Sequence, residues 1–291
     1  MGLALFHTVF NIIGVVLFLP FIGILASLLY RVFPDFKPVL TVYINNTPTE
    51  IIEAATSALR KEIIHLLHEC QNYGLRLLRI DKKSVFDDDL PLEKSLKKRL
   101  SLDSLYEKIK LLHGDIFAYY SKLQSRRREE IEVKELERMV FASRNIMNSI
   151  KNFKGIRHNF DEFNGSDTDY LNEQYIRFRK RLMKLYAEMR GIQKLEDREE
   201  QYHGLLKTFV KTEEADKRFI NETISAAAEG RIQELEISSL LLVNRLFNQA
   251  CRLQIFSLKD LLLFQEQINN FDRALDMKEI IEEEKEKDHQ S

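Results

Sequence analysis

The chain has 291 residues with 44 Lys and Arg against 45 Asp and Glu, and the resulting net charge of −1 leaves no positive excess for nucleic acid. All of those charges lie after residue 30, glycine numbers only 10, and no proline follows Pro91. That pattern excludes most β-rich and α/β designs, which need frequent turn residues.

From Leu3 to Tyr30 the only polar side chains are His7, Thr8, Asn11, Ser27 and the phenol of Tyr30. A helix across this block reaches about 42 Å at about 1.5 Å per residue, more than the ~30 Å hydrocarbon core of a bilayer requires. A secretory signal peptide fits less well, because no Lys or Arg precedes the apolar run and the run is about twice a typical signal core. Residues 1–31 are therefore expected to be a transmembrane helix. Arg31 and Lys37 follow it and only the amino terminus precedes it, so the C-terminal side is expected in the cytoplasm. The expected location is the cell inner membrane, with a single span. Two cysteines, Cys70 and Cys251, fit the same reducing side. Tyr30, Phe33 and Phe36 would sit at the interface, and Pro20, lacking an N–H, is expected to bend the helix. His7 and Asn11 stand four residues apart and share a face with Gly14. This polar face is expected to pack on another helix, since a transport path needs several helices around it.

Residues 32–48 hold Pro34, Pro38 and Pro48 and read as a linker. Beyond it, apolar residues at 3–4 spacing form six runs: Ile52 to Leu77, Leu102 to Leu123, Leu136 to Phe153, Leu171 to Ile192, Tyr202 to Ala227, and Leu240 to Leu262. Thr49 after Pro48 is a candidate cap for the first run. Asp87-Asp88-Asp89-Leu90-Pro91 breaks the first run from the second, Asn164-Gly165-Ser166-Asp167 divides the set in the middle, and Gly230 separates the fifth from the sixth. Three runs on each side predict two three-helix bundles, 49–163 and 164–284, with a tail at 285–291. Bundles of ~100 residues are large enough for cores of their own. Glu135-Leu136-Glu137 and Glu234-Leu235-Glu236 would open the third helix of each. The expected fold class is all-α: one transmembrane helix followed by two three-helix bundles.

His7-Thr8-Val9-Phe10-Asn11-Ile12-Ile13-Gly14, followed by Leu19-Pro20-Phe21, resembles the last membrane helix of bacterial sodium/phosphate cotransporters. Ile237 to Arg245 (Ile-Ser-Ser-Leu-Leu-Leu-Val-Asn-Arg) resembles a segment of the PhoU-like cytoplasmic domain at the C-terminus of those transporters. The stretch from Glu137-Arg138-Met139 to Arg157-His158-Asn159 is similar in kind to that domain's earlier third helix. The resemblance covers nearly the whole chain, in the family's order. It implies a regulatory domain of two PhoU-like three-helix repeats on the cytoplasmic face. It does not supply transport, because the family's Gln-Ser-Ser-rich broken helices have no counterpart: Gln-Ser occurs only at Gln124-Ser125 and Gln290-Ser291, neither in an apolar helix. The chain is thus expected to be the C-terminal portion of a transporter, truncated, split, or working with a separate membrane part. Its expected partners are that membrane part or a second copy of itself as a homodimer, together with the lipid bilayer. The runner-up reading is a single-span helical scaffold or signalling adaptor unrelated to phosphate.

Glu213 and Asp216 occupy stripe positions of the fifth run, where buried carboxylates need cations or hydrogen bonds. PhoU-like domains carry a Glu-x-x-x-Asp motif for metal clusters, and Thr212 replaces the first acid of that pattern here. A salt link to Lys or Arg on a neighbouring helix is the favoured reading, with a metal site at Glu213 and Asp216 the sharper one. His65, His68 and Glu69 lie off the apolar stripe and do not match a zinc motif. Lys97-Lys98-Arg99 and Arg126-Arg127-Arg128 are basic runs assigned to solvated faces of the second helix or to anionic lipid. Glu282 to Asp288 is expected to be a frayed end. No phosphate loop, nucleophile elbow or catalytic triad is present in the sequence, so no enzyme activity and no cofactor is expected.

Overall fold

The computed structural model describes residues 2–32, 39–82, 85, 101–125 and 130–275. The helices are α1 (Gly2–Val32), α2 (Ile52–Leu77), α3 (Leu102–Gln124), α4 (Glu130–Gly155), α5 (Arg157–Asn164), α6 (Asp169–Lys194), α7 (Arg198–Ala228) and α8 (Glu234–Leu262). Residues 265–275 are also helical, and no strand occurs among the described residues. The protein is all-α. The Asp87–Pro91 break, Phe33, Phe36, both basic runs and the acidic tail fall outside the described residues.

The chain divides into two compact units, Met1–Val39 and Leu40–Ser291. In the first, α1 runs without interruption through Pro20. Its stretch Phe6–Ile24 buries nothing within the chain and is long and apolar enough to cross a membrane.

In the second unit the 3–4 spacing becomes buried stripes. On α2, Ala55, Leu59, Ile63, Leu66, Cys70, Tyr73 and Leu77 are all buried, giving that helix one continuous inner face. Thr49 does not cap it; Ile51 stands at that position with no side-chain bond to offer. At the other end, Ile80 N–H bonds the Leu75 carbonyl and Arg79 N–H that of Arg76, with Arg79 in the left-handed region at φ 52°. This closes the helix with a bonding pattern usually built on glycine. Gly230, at φ 70°, does the same for α7 through bonds from Arg231 to Ala226 and from Gly230 to Ala227. Ser101 caps α3 by accepting the Ser104 N–H at 3.1 Å, and Gln233 with Glu236 forms a reciprocal capping box on α8.

Helices α2, α3 and α4 pack on one another, and so do α6, α7 and α8. Within each triplet successive helices alternate in direction: Asp103 on α3 meets Arg157 just after α4, and Arg177 on α6 meets Glu222 on α7. The largest contact of all joins the triplets through their third helices, α4 and α8. These run antiparallel, with Ala142 opposite Ser257, Ser149 opposite Ala250 and Phe153 opposite Phe247. The buried residues of both triplets therefore form a single hydrophobic cluster. Separate cores would have left the α4 and α8 faces exposed, and their burial supplies a large share of the apolar area.

Two features lie outside the sequence expectation. The eight-residue α5 packs Phe160 against the second triplet, 5.4 Å from Phe178 and 6.4 Å from Phe247. Helix α4 begins at Glu130, so Glu135-Leu136-Glu137 does not open it, and Leu136 is buried where Leu235 is 82% exposed. The two Glu-Leu-Glu segments are alike in sequence and not in position.

The C-terminus of α8 is held from three sides: Arg60 donates to the Leu261 carbonyl, Arg198 to Leu262 and Arg138 to Leu263. Cations there satisfy carbonyls that have no partner within the helix and oppose its dipole. At the entry to the unit, the segment from Leu40 to Thr47 lies on α2. The fully buried Glu62 carboxylate accepts backbone N–H bonds from Val42 (2.9 Å), Tyr43 (2.6 Å) and Ile44 (3.1 Å), and its other oxygen lies 2.8 Å from His65 Nδ1.

Candidate functional site

Helices α6 and α7 diverge enough to leave a cavity of about 620 Å³ between them, floored by Phe247 and Cys251 of α8. The opening follows from side-chain size, because α7 presents Thr208, Thr212 and Ala215 toward α6 where bulkier residues would fill the gap. From α6 come Arg177, Lys180, Arg181 and Lys184, at the i, i+3, i+4, i+7 spacing that places them on one face. Lys211 and Arg218 of α7 face them, and Glu188 and Glu222 are the two acids of the lining. Six cations against two acids stand out in a chain whose charges otherwise cancel.

The acids are already engaged at the rim. Glu222 pairs with Arg177, and Glu188 pairs with Lys211 while accepting the Thr208 hydroxyl at 3.2 Å. Among the described residues no carboxylate lies within ion-pair distance of Lys180, Lys184 or Arg218.

Arg181 sits deepest. Its guanidinium carbon is 5.0 Å from the Phe247 ring centre, 5.5 Å from Phe178 and 6.0 Å from Phe219, and Nη1 donates to Asn244 Oδ1 at 2.8 Å. Asn244 is itself buried and passes its amide N–H to Asp216 Oδ1. Burial lowers the Arg181 pKa, and the nearby Arg218 charge lowers it further. A guanidinium nevertheless remains charged, so the floor of the cavity holds a cation whose carboxylate is one amide away. Cys251 beside it is a buried thiol pushed up to about 12 and is inert as a nucleophile.

Glu213 and Asp216 lie on the α8-facing side of α7. Glu213 is 3.5 Å from Arg252 Nε and accepts from Asn248 Nδ2 at 3.4 Å, which is the expected link to a neighbouring cation. Asp216 takes an amide instead and reaches Arg181 only through Asn244. His65 turns to Glu62 and His68 to Gln193 at 3.1 Å, so these histidines diverge. Among the described residues no three His, Cys, Asp or Glu side chains are grouped to hold a metal. On α1, Asn11 Nδ2 lies 3.2 Å from His7 Nε2, so this pair satisfies part of its polarity within one helix.

The basic face of α6 is present in the sequence as Arg177, Lys180, Arg181 and Lys184 at helical spacing. Attention to the apolar stripe alone passes over it. Comparison with models of protein families, with curated proteins and with solved structures found no match to this chain.

Proposed function

We propose that the protein is a membrane-anchored regulatory module of the sodium/phosphate cotransporter type, acting on a transport core that these 291 residues do not contain. The observation that carries this reading is the joining of an N-terminal helix whose Phe6–Ile24 stretch is uncharged and unburied to a compact unit of two linked helix triplets. The resemblance of His7–Gly14 and Ile237–Arg245 to the cotransporters supports it. In this reading α1 spans the inner membrane, residues 40–291 lie in the cytoplasm, and the helical unit docks on a transporter or on a second copy. It would favour one transporter conformation by contacting it more extensively than the other. No catalytic role is assigned.

Three measurements on the full chain test this. Alkaline carbonate washing should leave the protein in the membrane pellet, and protease should reach residues 40–291 only in inverted vesicles. Removing the gene should change sodium-dependent uptake of labelled phosphate, and restoring it should reverse the change. Membrane retention with unaltered uptake would favour the scaffold or adaptor reading instead.

A further inference from the structure

We propose that the α6–α7 cavity is a binding site for a phosphorylated small molecule of about nucleotide size. This does not depend on the transporter reading. Its volume, about 620 Å³, falls inside the range of about 300–1,000 Å³ typical of small-molecule pockets. Bare phosphate would leave most of it empty. Lys180, Lys184 and Arg218 at the walls are the groups to meet the phosphates, since no carboxylate of the described residues pairs with them.

Arg181 strengthens the assignment. It is held in place by three aromatic rings and one amide rather than by a direct carboxylate. A fixed guanidinium of this kind is organised before a ligand arrives, so little conformational freedom is lost when an anion reaches it. The flanking Arg177–Glu222 and Lys211–Glu188 pairs hold the rims at a set width. Like charges facing one another across a cavity destabilise it when empty, and a polyanion between them relieves that repulsion.

The test uses the full chain in detergent with trinitrophenyl-ATP as fluorescent probe and ATP, adenosine, inorganic phosphate and phosphatidylglycerol vesicles as competitors. Saturable binding is expected, displaced by ATP at least tenfold better than by adenosine or inorganic phosphate. Lys184→Glu and Arg218→Glu, both exposed, should each weaken it at least tenfold, while Lys207→Glu, exposed and outside the cavity, should leave it within twofold. Photolabelling with 8-azido-ATP should mark peptides of α6 or α7, a readout that survives any loss of folding in the variants. Absence of saturable binding below 1 mM probe, equal loss in Lys207→Glu, or labelling confined to other helices would overturn the proposal. So would inorganic phosphate competing as well as ATP, which would reduce the site to a simple anion patch. Displacement by vesicles in preference to ATP would assign it to lipid headgroups and equally overturn it.

Discussion

Glu62→Gln removes the α2 charge that holds the entry strap, Leu40 to Thr47, and should be among the most damaging isosteric changes in the chain. The native carboxylate is fully buried and is met by three backbone N–H groups and by His65. A glutamine oxygen at the Oε2 position can keep the three backbone bonds only as neutral ones, and its NH2 group then faces His65 Nδ1. Three charge-assisted hydrogen bonds become neutral at a loss of about 1 kcal/mol each, giving an expected destabilisation of roughly 3 kcal/mol. Burial by itself raises the Glu62 pKa, yet the His65 bond and the amides of Tyr43, Ile44 and Val42 outweigh it and hold the pKa below its ordinary value of 4.5. Because the folded pKa is the lower one, this contribution is complete above the ordinary carboxylate range and disappears as pH falls through the folded value. Denaturant titrations of wild type and Glu62→Gln in detergent should therefore differ most near about pH 7 and converge towards about pH 3. Hydrogen exchange should show the amides of residues 42–44 losing protection before those of α2. A difference below about 0.5 kcal/mol at neutral pH, or one that does not shrink in acid, would refute the assignment of the strap to this carboxylate.

Gly74→Ala would put a methyl group 2.6 Å from the Tyr186 hydroxyl and 3.3 Å from Phe153, at a buried crossing of three helices. It should cost about 1–3 kcal/mol in thermal unfolding, and combination with Tyr186→Phe should recover part of the loss; strictly additive losses would deny the contact. Asp260 has its pKa raised to about 6 from 3.8, chiefly by burial, although Lys259 lies 3.5 Å away. Its folded pKa is the higher one, so ionisation opposes folding, and Asp260→Asn should be more stable than wild type at about pH 7.5 by up to roughly 3 kcal/mol, with the advantage fading below about pH 5 in paired denaturant titrations. Asn244→Leu would strip the buried amide from between Arg181 and Asp216. The loss should reach about 3–5 kcal/mol by chemical denaturation, and a fall below about 1 kcal/mol would show that both charges find water instead.

The helices were legible because burial on one side of a 3.6-residue repeat leaves a long, regular trace. The run Ile52 to Leu77 has the bounds of α2 itself. The centre of the pattern at Asn164–Asp167 also marks the true join between α5 and α6. Short-range signals fared less well. Thr49 has a capping side chain but Ile51 is where the helix starts, and α5 is too short for any periodicity to announce it. The Glu-Leu-Glu echo failed because a three-residue match carries no information on helix phase. For the candidate site, Glu213 and Asp216 were identifiable as polar residues in an apolar stripe, and the need for partners was met on α8. The cavity itself was not legible. It depends on the spacing between α6 and α7, which small residues at 208, 212 and 215 set jointly with the crossing of two helices, and no single stretch of chain encodes that distance.

Helix α8 is the element through which the rest of the second unit is organised. Its apolar stripe alone would tolerate a slide along α4 and α7, since leucine, isoleucine and phenylalanine can exchange positions at modest cost. Its buried polar residues cannot. Asn244 and Asn248 meet Asp216 and Glu213 on α7, Gln254 bonds Ser149 on α4 and Tyr186 on α6, and Ser257 bonds the Ala142 carbonyl. A shift of one turn, about 5.4 Å, would break the buried Gln254 and Ser257 bonds and leave one of the two asparagine–carboxylate pairs unmade. The register of α8 is thus fixed against both triplets together, and Asn244 ties the cation at the cavity floor to that fixed register.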